Sequence, residues 1–297
     1  PLRAPAISIH PNAKWAQNGV TVAGANDWDN GLNELFFPYG LYVDDDQTIY
    51  VADWANNRVM GWKAGATSGQ VVAGGNGRGD GVHQLNHPLD VIVDKERDSL
   101  IISDTENKRI VRWPRRNGTT SREIIISNIE CIGLTMDENG SLYVVDNESH
   151  GVIRYRIGDT IGTVVAGGNG EGSRPDQLSG PLCVSVDRNH SVYVSNFWNH
   201  RVIKWEEGAR EGIIVAGGQG EGNSLTQLKG PRGVVVDQLG TVYVTDTSNH
   251  RIMRWPKGAT QGSVIAGGNG AGRQSNQLTS PVGLSFDRHG NLYVVDY

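Results

Sequence analysis

Cysteine, methionine and phenylalanine are scarce here: two, three and four residues in a chain of 297. Two cysteines, Cys131 and Cys183, build no disulfide framework and show no metal-ligand spacing, so the fold must rest on its own core. They precede similar strands, which leaves a single bridge or two free buried thiols as the alternatives. Long apolar runs are missing too. Stretches such as Ile124–Ile126 and Val234–Val236 are too short to cross a bilayer, so no membrane span is expected. Basic charge is not in excess: 27 Lys and Arg stand against 32 Asp and Glu, a net −5. That balance gives no electrostatic footprint for nucleic acid, which is not an expected partner. No basic segment followed by an apolar run opens the chain, so it reads as one already mature or trimmed.

What is abundant is glycine, with 40 residues, a composition for many tight turns between short strands rather than for helices. The fold class read from this is all-β. A period confirms the reading of the composition. Asp53, Asp104, Asp146, Asn196, Asp246 and Asp296 each end a short strand of the form YVAD, IISD, YVVD, YVSN, YVTD or YVVD, at spacings of 51, 42, 50, 50 and 50 residues. The fullest unit starts at Pro231 and reads RGVVVD, a turn, TVYVTD, a turn at TSNH, RIMRW, a turn, and SVIAGG. Those are four β-branched and aromatic runs bounded by turn residues, the sequence form of a propeller blade.

The expectation is therefore an all-β, six-bladed β-propeller of four-stranded antiparallel blades, with residues 1–297 forming a single domain. The sixth unit has only PVGLSFD and NLYVVD before Tyr297. AISIHPNAKW and VTVAG match the third and fourth strands of other units, so residues 1–24 are expected to complete the last blade and close the ring. The third unit is shortened, because IIISNIECIGLTMD lacks the AGGNG loop of its neighbours.

The run YVADWANNRVMGW, repeated as YVSNFWNHRVIKW and YVTDTSNHRIMRW, resembles the NHL repeat, with Asn199-His200 and Asn249-His250 carrying the signature pair. The resemblance covers essentially the whole chain, and it implies a six-bladed propeller without implying one function. An arginine follows each Asn-His pair, and the third unit, DNESHGVIRY, has lost both Asn and Arg.

Residues that recur in most units serve the fold rather than a site. Asp53, Asn56, Arg58 and Trp62, with their counterparts, are read as turn anchors and inter-blade packing. The glycine-rich loops such as AGGNGEGSRPDQL lead into strands, not helices, so they are crossover loops and not phosphate cradles. What breaks the symmetry is more informative. Just after the end-of-strand marker the units carry Trp54, Thr105, Asn147, Phe197, Thr247 and Tyr297, with Trp198 following Phe197, and Trp54, Phe197 and Trp198 are the candidate ligand platform. Asp90 and Arg232 bring the charge to the first strands, where they are the candidate polar residues of the central channel. Amidating lyases, which resemble NHL propellers, place metal-binding histidines at such positions; here His87 is the near miss. No catalytic, metal or cofactor residue is therefore assigned. Four N-x-S/T sequons, at Asn117, Asn139, Asn147 and Asn189, fall in expected turns.

These features point to a non-enzymatic, extracellular or secreted glycoprotein, a rigid binding or assembly module for a protein or carbohydrate ligand, with self-association into an oligomer or filament as a subsidiary expectation. The rival readings are a metal-dependent channel enzyme of lyase or lactonase type, and an RNA-binding propeller.

Overall fold

The structure is a computed structural model in which residues 9–10, 12–24, 29–115 and 122–297 are described. Blade 1 is β1 (Pro38–Val43), β2 (Ile49–Asp53), β3 (Arg58–Trp62) and β4 (Gln70–Gly74). Blade 2 is β5 (Pro88–Asp94), β6 (Ser99–Asp104), β7 (Arg109–Pro114) and β8 (Glu123–Ser127). Blade 3 comprises β9 (Cys131–Met136), β10 (Leu142–Asp146), β11 (Gly151–Tyr155) and β12 (Thr163–Gly167). β13 (Pro181–Val186), β14 (Val192–Asn196), β15 (Arg201–Trp205) and β16 (Ile213–Gly217) form blade 4. β17 (Pro231–Val236), β18 (Val242–Asp246), β19 (Arg251–Trp255) and β20 (Ser263–Gly267) form blade 5, and β21 (Pro281–Phe286) pairs with β22 (Leu292–Asp296) alone. Within each sheet the strands are antiparallel and lie side by side in chain order.

This corrects the six-bladed expectation. Among the described residues five blades have four strands, the sixth sheet has two, and no strand of the N-terminal segment joins it to close the ring. The reason lies in what the described part of that segment bonds to. Its backbone bonds run from Ala13 N to His10 O and from Gly19 N to Ser275 O, and neither is a ladder bond to β22. Val20 and Val22, in the VTVAG run matched to a fourth strand, are 83% and 49% exposed. Only side-chain packing follows the repeat: Trp15 sits 5.8 Å from Tyr243 and 6.3 Å from Phe286, against the fifth and sixth sheets.

The second strands of the five four-stranded blades are buried along their whole length, which is why they read as nearly continuous Val, Ile and Tyr, whereas outer strands such as β4 and β16 keep exposed residues. Between blades, Trp205 packs with Tyr143 of blade 3, and Trp255 with Tyr193 of blade 4. Replacing one such ring by Ala removes about 3–5 kcal/mol.

The first strands face one another around a common axis. Each begins with a register shift, and the residue after the shift points sideways at the next blade instead of along the axis. At Gly133, Gly233 and Gly283 a Cβ would lie 2.4–2.5 Å from a carbonyl oxygen of the next first strand, so only glycine fits. Cys183 occupies the same position with its Sγ 3.8 Å from Val234 O, and it is not bridged to Cys131.

A four-part clip repeats on the face where the first strands begin. In blade 1 the Asp53 carboxylate accepts Phe36 N through Oδ1, and Asn56 Nδ2 and Arg58 Nε through Oδ2, at 2.7–2.9 Å. The Arg58 guanidinium then donates to Asn30 O, Gly31 O and Glu34 O, gripping the loop that enters the blade. Blades 2 and 5 repeat it with Asp104, Asn107, Arg109 and with Asp246, Asn249, Arg251. Burial pushes Asp53 and Asp246 up from the usual carboxylate range, and these bonds pull them back.

The opposite face has its own anchor. Asp137, Asp187 and Asp237 cap the β9–β10, β13–β14 and β17–β18 hairpins through backbone N–H groups and accept the hydroxyls of Tyr143, Tyr193 and Tyr243 at 3.1–3.2 Å. Burial, reinforced by these carboxylates, raises all three phenols, Tyr143 to about 12. The folded chain therefore holds protons that the unfolded chain releases above pH 10. Stability from these groups is intact below pH 10 and lost as pH climbs toward 12 and beyond. Thermal unfolding should show the melting temperature falling from pH 10 upward, with a shallower fall in Tyr143→Phe by on the order of 2 kcal/mol. An equally steep fall in that variant removes Tyr143 from the account.

Candidate functional site

The turns after the second strands and the loops entering the first strands share one face, and on it the symmetry of the repeat fails most. In four blades the residue before the first-strand proline has a left-handed backbone: Gly180 and Gly230 in blades 4 and 5, but Phe37 (φ 49°) and His87 (φ 52°) in blades 1 and 2. Glycine adopts that conformation freely; a side chain pays roughly 1–2 kcal/mol for it. The strained residues are the ones that carry rings.

Those rings join into one surface. His87 stacks on Trp54 with centroids 4.2 Å apart and planes at 16°. Trp54 meets Phe37 edge-on at 6.2 Å and Tyr39 at 6.4 Å. Tyr297 packs against both Phe37 and Tyr39, at 5.5 and 5.8 Å. Arg232 continues the line from the far side of the axis: its guanidinium carbon lies 5.7 Å from the Tyr39 ring and 5.3 Å from the Phe197 ring, and Nη1 donates to Tyr39 Oη at 3.3 Å. Phe197 then meets Trp198 edge-on at 4.7 Å, and Trp198 is 65% exposed. The turn aromatics thus cover the pre-proline positions on both sides, Trp54 on Phe37 and His87, Phe197 and Trp198 on Gly230 and Gly180.

Burial and the nearby Arg78 charge lower the His87 imidazole, so it stacks as a neutral ring. Burial and the contact with Tyr39 raise the Tyr297 phenol, which keeps its proton at neutral pH. Arg232 Nε is buried without a hydrogen-bond partner. The face therefore offers flat apolar area, two phenols and one fixed cation, and what it can do chemically is bind.

Of the residues singled out in the sequence, Trp54, Phe197, Trp198 and Arg232 are brought into this one surface. Asp90 is not. It is buried between blades, where Oδ2 accepts Leu134 N at 2.8 Å, Oδ1 accepts Val91 N at 2.9 Å, and Gly40 leaves it room. Asn139 and Asn189 are exposed in hairpins of the opposite face. Asn147 lies half-buried on the aromatic face with its amide donating to Glu130 Oε1, and Asn117 lies outside the described residues. Phe37, Tyr39, His87 and Tyr297 were not assigned to the platform from sequence; the signal available was Phe and His standing before proline where the fourth and fifth units have glycine. A cleft of about 710 Å³ opens elsewhere, between β12 and the β15–β16 turn, and the Arg154–Glu207 ion pair crosses it. Among the described residues no group of three His, Cys, Asp or Glu is placed to hold a metal ion. Nor is any helix there long and apolar enough to cross a membrane.

The clip is imperfect beneath the most exposed pair of rings. Asn196 replaces Asp in blade 4; its Oδ1 accepts Ser179 N at 2.9 Å, while its Nδ2 and Arg201 Nε are both buried without partners. Two donors stand where the sister blades put a donor and an acceptor.

The NHL repeat family model matches residues 228–254. Among solved structures, a protein of unknown function from Bacteroides thetaiotaomicron is 16% identical with a TM-score of 0.72, over 94% of this chain and 73% of that one. An auxiliary nutrient binding protein from the same organism is also 16% identical, with a TM-score of 0.70 and the same coverage. A gluconolactonase from Xanthomonas campestris is 13% identical with a TM-score of 0.62, over 87% of this chain and 82% of that one. At such identities the likeness is one of fold. A sequence search of curated proteins finds no match.

Restoring the acceptor should stabilise the chain: Asn196→Asp is expected to add about 1–3 kcal/mol, read as a higher denaturation midpoint at pH 7. A lower midpoint would mean that the cost of burying the charge exceeds the new bond to Arg201.

Proposed function

Since this chain is an NHL-repeat β-propeller, a scaffold that presents loops and carries no one activity of its own, we propose that it is a binding module whose ligand seat is the aromatic face around Arg232. The observation that carries this reading is the unbroken line from His87 and Trp54 through Tyr39 and Arg232 to Phe197 and Trp198. Rings placed there at the cost of backbone strain, and a guanidinium with an unused buried donor, suit a ligand with a flat apolar side and hydrogen-bond acceptors at its edge. A carbohydrate ring has that chemistry; an exposed loop of a partner protein is the alternative occupant.

Tryptophan fluorescence during titration with neutral oligosaccharides tests it. Saturable quenching is expected, with Trp54→Ala and Trp198→Ala each weakening binding by about tenfold or more. Unchanged affinity in both variants would move the ligand off this face, and no saccharide response at all would turn the reading to the protein partner.

We further propose an extracellular setting. Support comes from Asn139 and Asn189, exposed acceptors in equivalent hairpins on the face away from the rings, where glycans leave the seat open. Self-association belongs to the same proposal, because β22 has no strand on its outer side among the described residues and a strand from a second copy would fit there. Intact mass before and after N-glycan removal, with light scattering on the same native sample, should show a glycan loss and a particle larger than one chain. An unmodified monomer contradicts both.

A further inference from the structure

Blade 3 keeps the aspartate of the clip and has lost everything that satisfies it. Asp146 ends β10 as Asp53, Asp104 and Asp246 end their strands, but the asparagine position is Ser149 and the arginine position is Gly151. The loop that the arginine would grip is gone as well: β8 leads to β9 through Asn128–Glu130 alone. Elsewhere that loop supplies a backbone donor to the aspartate, from Phe36, Asn86 or Lys229. Here the matching residue, Ile129, gives its N–H to Lys108 O instead.

The consequence is a notch lined by unsatisfied groups. Asp146 is 9% exposed, and its Oδ1 is buried without a hydrogen-bond partner. Ser149 Oγ and His150 Nδ1, in the same turn, are also buried and unpartnered. Glu130 stands at the rim, held by Asn147 Nδ2 at 3.1 Å. The nearby cation, Lys108, is turned away onto Glu148 at 3.4 Å. The Cys131 thiol beside β10 is pushed well up by burial and by the charges of Asp90 and Asp146.

Three sister aspartates show what such a carboxylate takes in this fold: an arginine Nε at 2.6–2.7 Å. We infer that the blade 3 notch is a docking point for an arginine side chain of a partner protein, whose guanidinium takes the place left by Gly151 and bonds Asp146, Ser149 and the Glu130 carboxylate. A guanidinium suits this set better than an ammonium, because its fork reaches several fixed acceptors at once while an ammonium is a compact, strongly hydrated charge. The notch lies on the same face as the rings, one blade from Trp198, yet the inference stands on blade 3 alone.

Amide NMR of the full chain, followed at Gly151 and Gly168, tests it with small probes at matched ionic strength. Blocked arginine (N-acetyl-arginine methylamide) and ethylguanidinium should give saturable shifts, and ethylammonium should bind about tenfold more weakly. Free arginine should also bind more weakly than blocked arginine, since its carboxylate meets Glu130. Asp146→Asn should abolish the titration. Gly151→Arg should abolish it too and raise the melting temperature by supplying the guanidinium within the chain, although its Cβ meets Gly168 N at 3.1 Å and the backbone must shift a little. Shifts that never saturate, or that saturate equally in Asp146→Asn, overturn the site. Free arginine binding as tightly as the blocked residue overturns the partner protein and leaves an amino-acid site.

Discussion

The aromatic face hangs from carboxylates taken out of water at the ends of the second strands of blades 1, 2 and 5. An unpaired buried charge costs several kcal/mol, so each such aspartate must be met by donors, and the donors come from three separate places. One is the backbone of the entering loop, one the turn that follows, and one the guanidinium at the start of the third strand, which then holds the loop by its carbonyls. A single desolvated group thereby fixes the position of two loops. Because the rings sit on those loops, the geometry of the aromatic face is set by electrostatics underneath it rather than by contacts among the rings.

The clip itself departs from the repeat in blades 3 and 4. Blades 1, 2 and 5 have the full set. In blade 4 an amide faces the guanidinium, directly under Phe197 and Trp198. In blade 3 arginine and loop are absent together, which is the only economical way to lose either one: a guanidinium without carbonyls to grip, or a loop without its grip, is worse than neither. Function in repeat architectures is written in such departures, since the shared residues are already committed to holding the blades.

The sequence displays this division well up to a point. Blade-forming units were legible from the spacing of Asp53 to Asp296, and the clip residues from their recurrence. The rings at Trp54, Phe197 and Trp198 were visible as departures. Two things were not. A strand pattern states which residues have β character but not which edge they bond, so Lys14-Trp15 and VTVAG imitate the end of a blade while Trp15 packs and Val20 faces water. The register shift at the start of each first strand likewise inverts the facing of the next residue, so Asp90 lies between blades and Arg232, one place earlier in its unit, stays at the axis.

The two-stranded sixth sheet gives the face an uneven foundation. Among the described residues β22 has no strand on its outer side, whereas every other second strand has one, and two paired strands are marginal without packing support. Yet Tyr297, one residue past β22, is the ring that joins Phe37 to Tyr39. A sheet with two described strands thus neighbours a ring that joins the two halves of the blade 1 aromatic cluster. Under the proposed binding role, ligation and local unfolding there would be two ends of one equilibrium: a ligand resting on Tyr297 would slow amide exchange in β22, and fraying of β22 would weaken its binding by the same free energy.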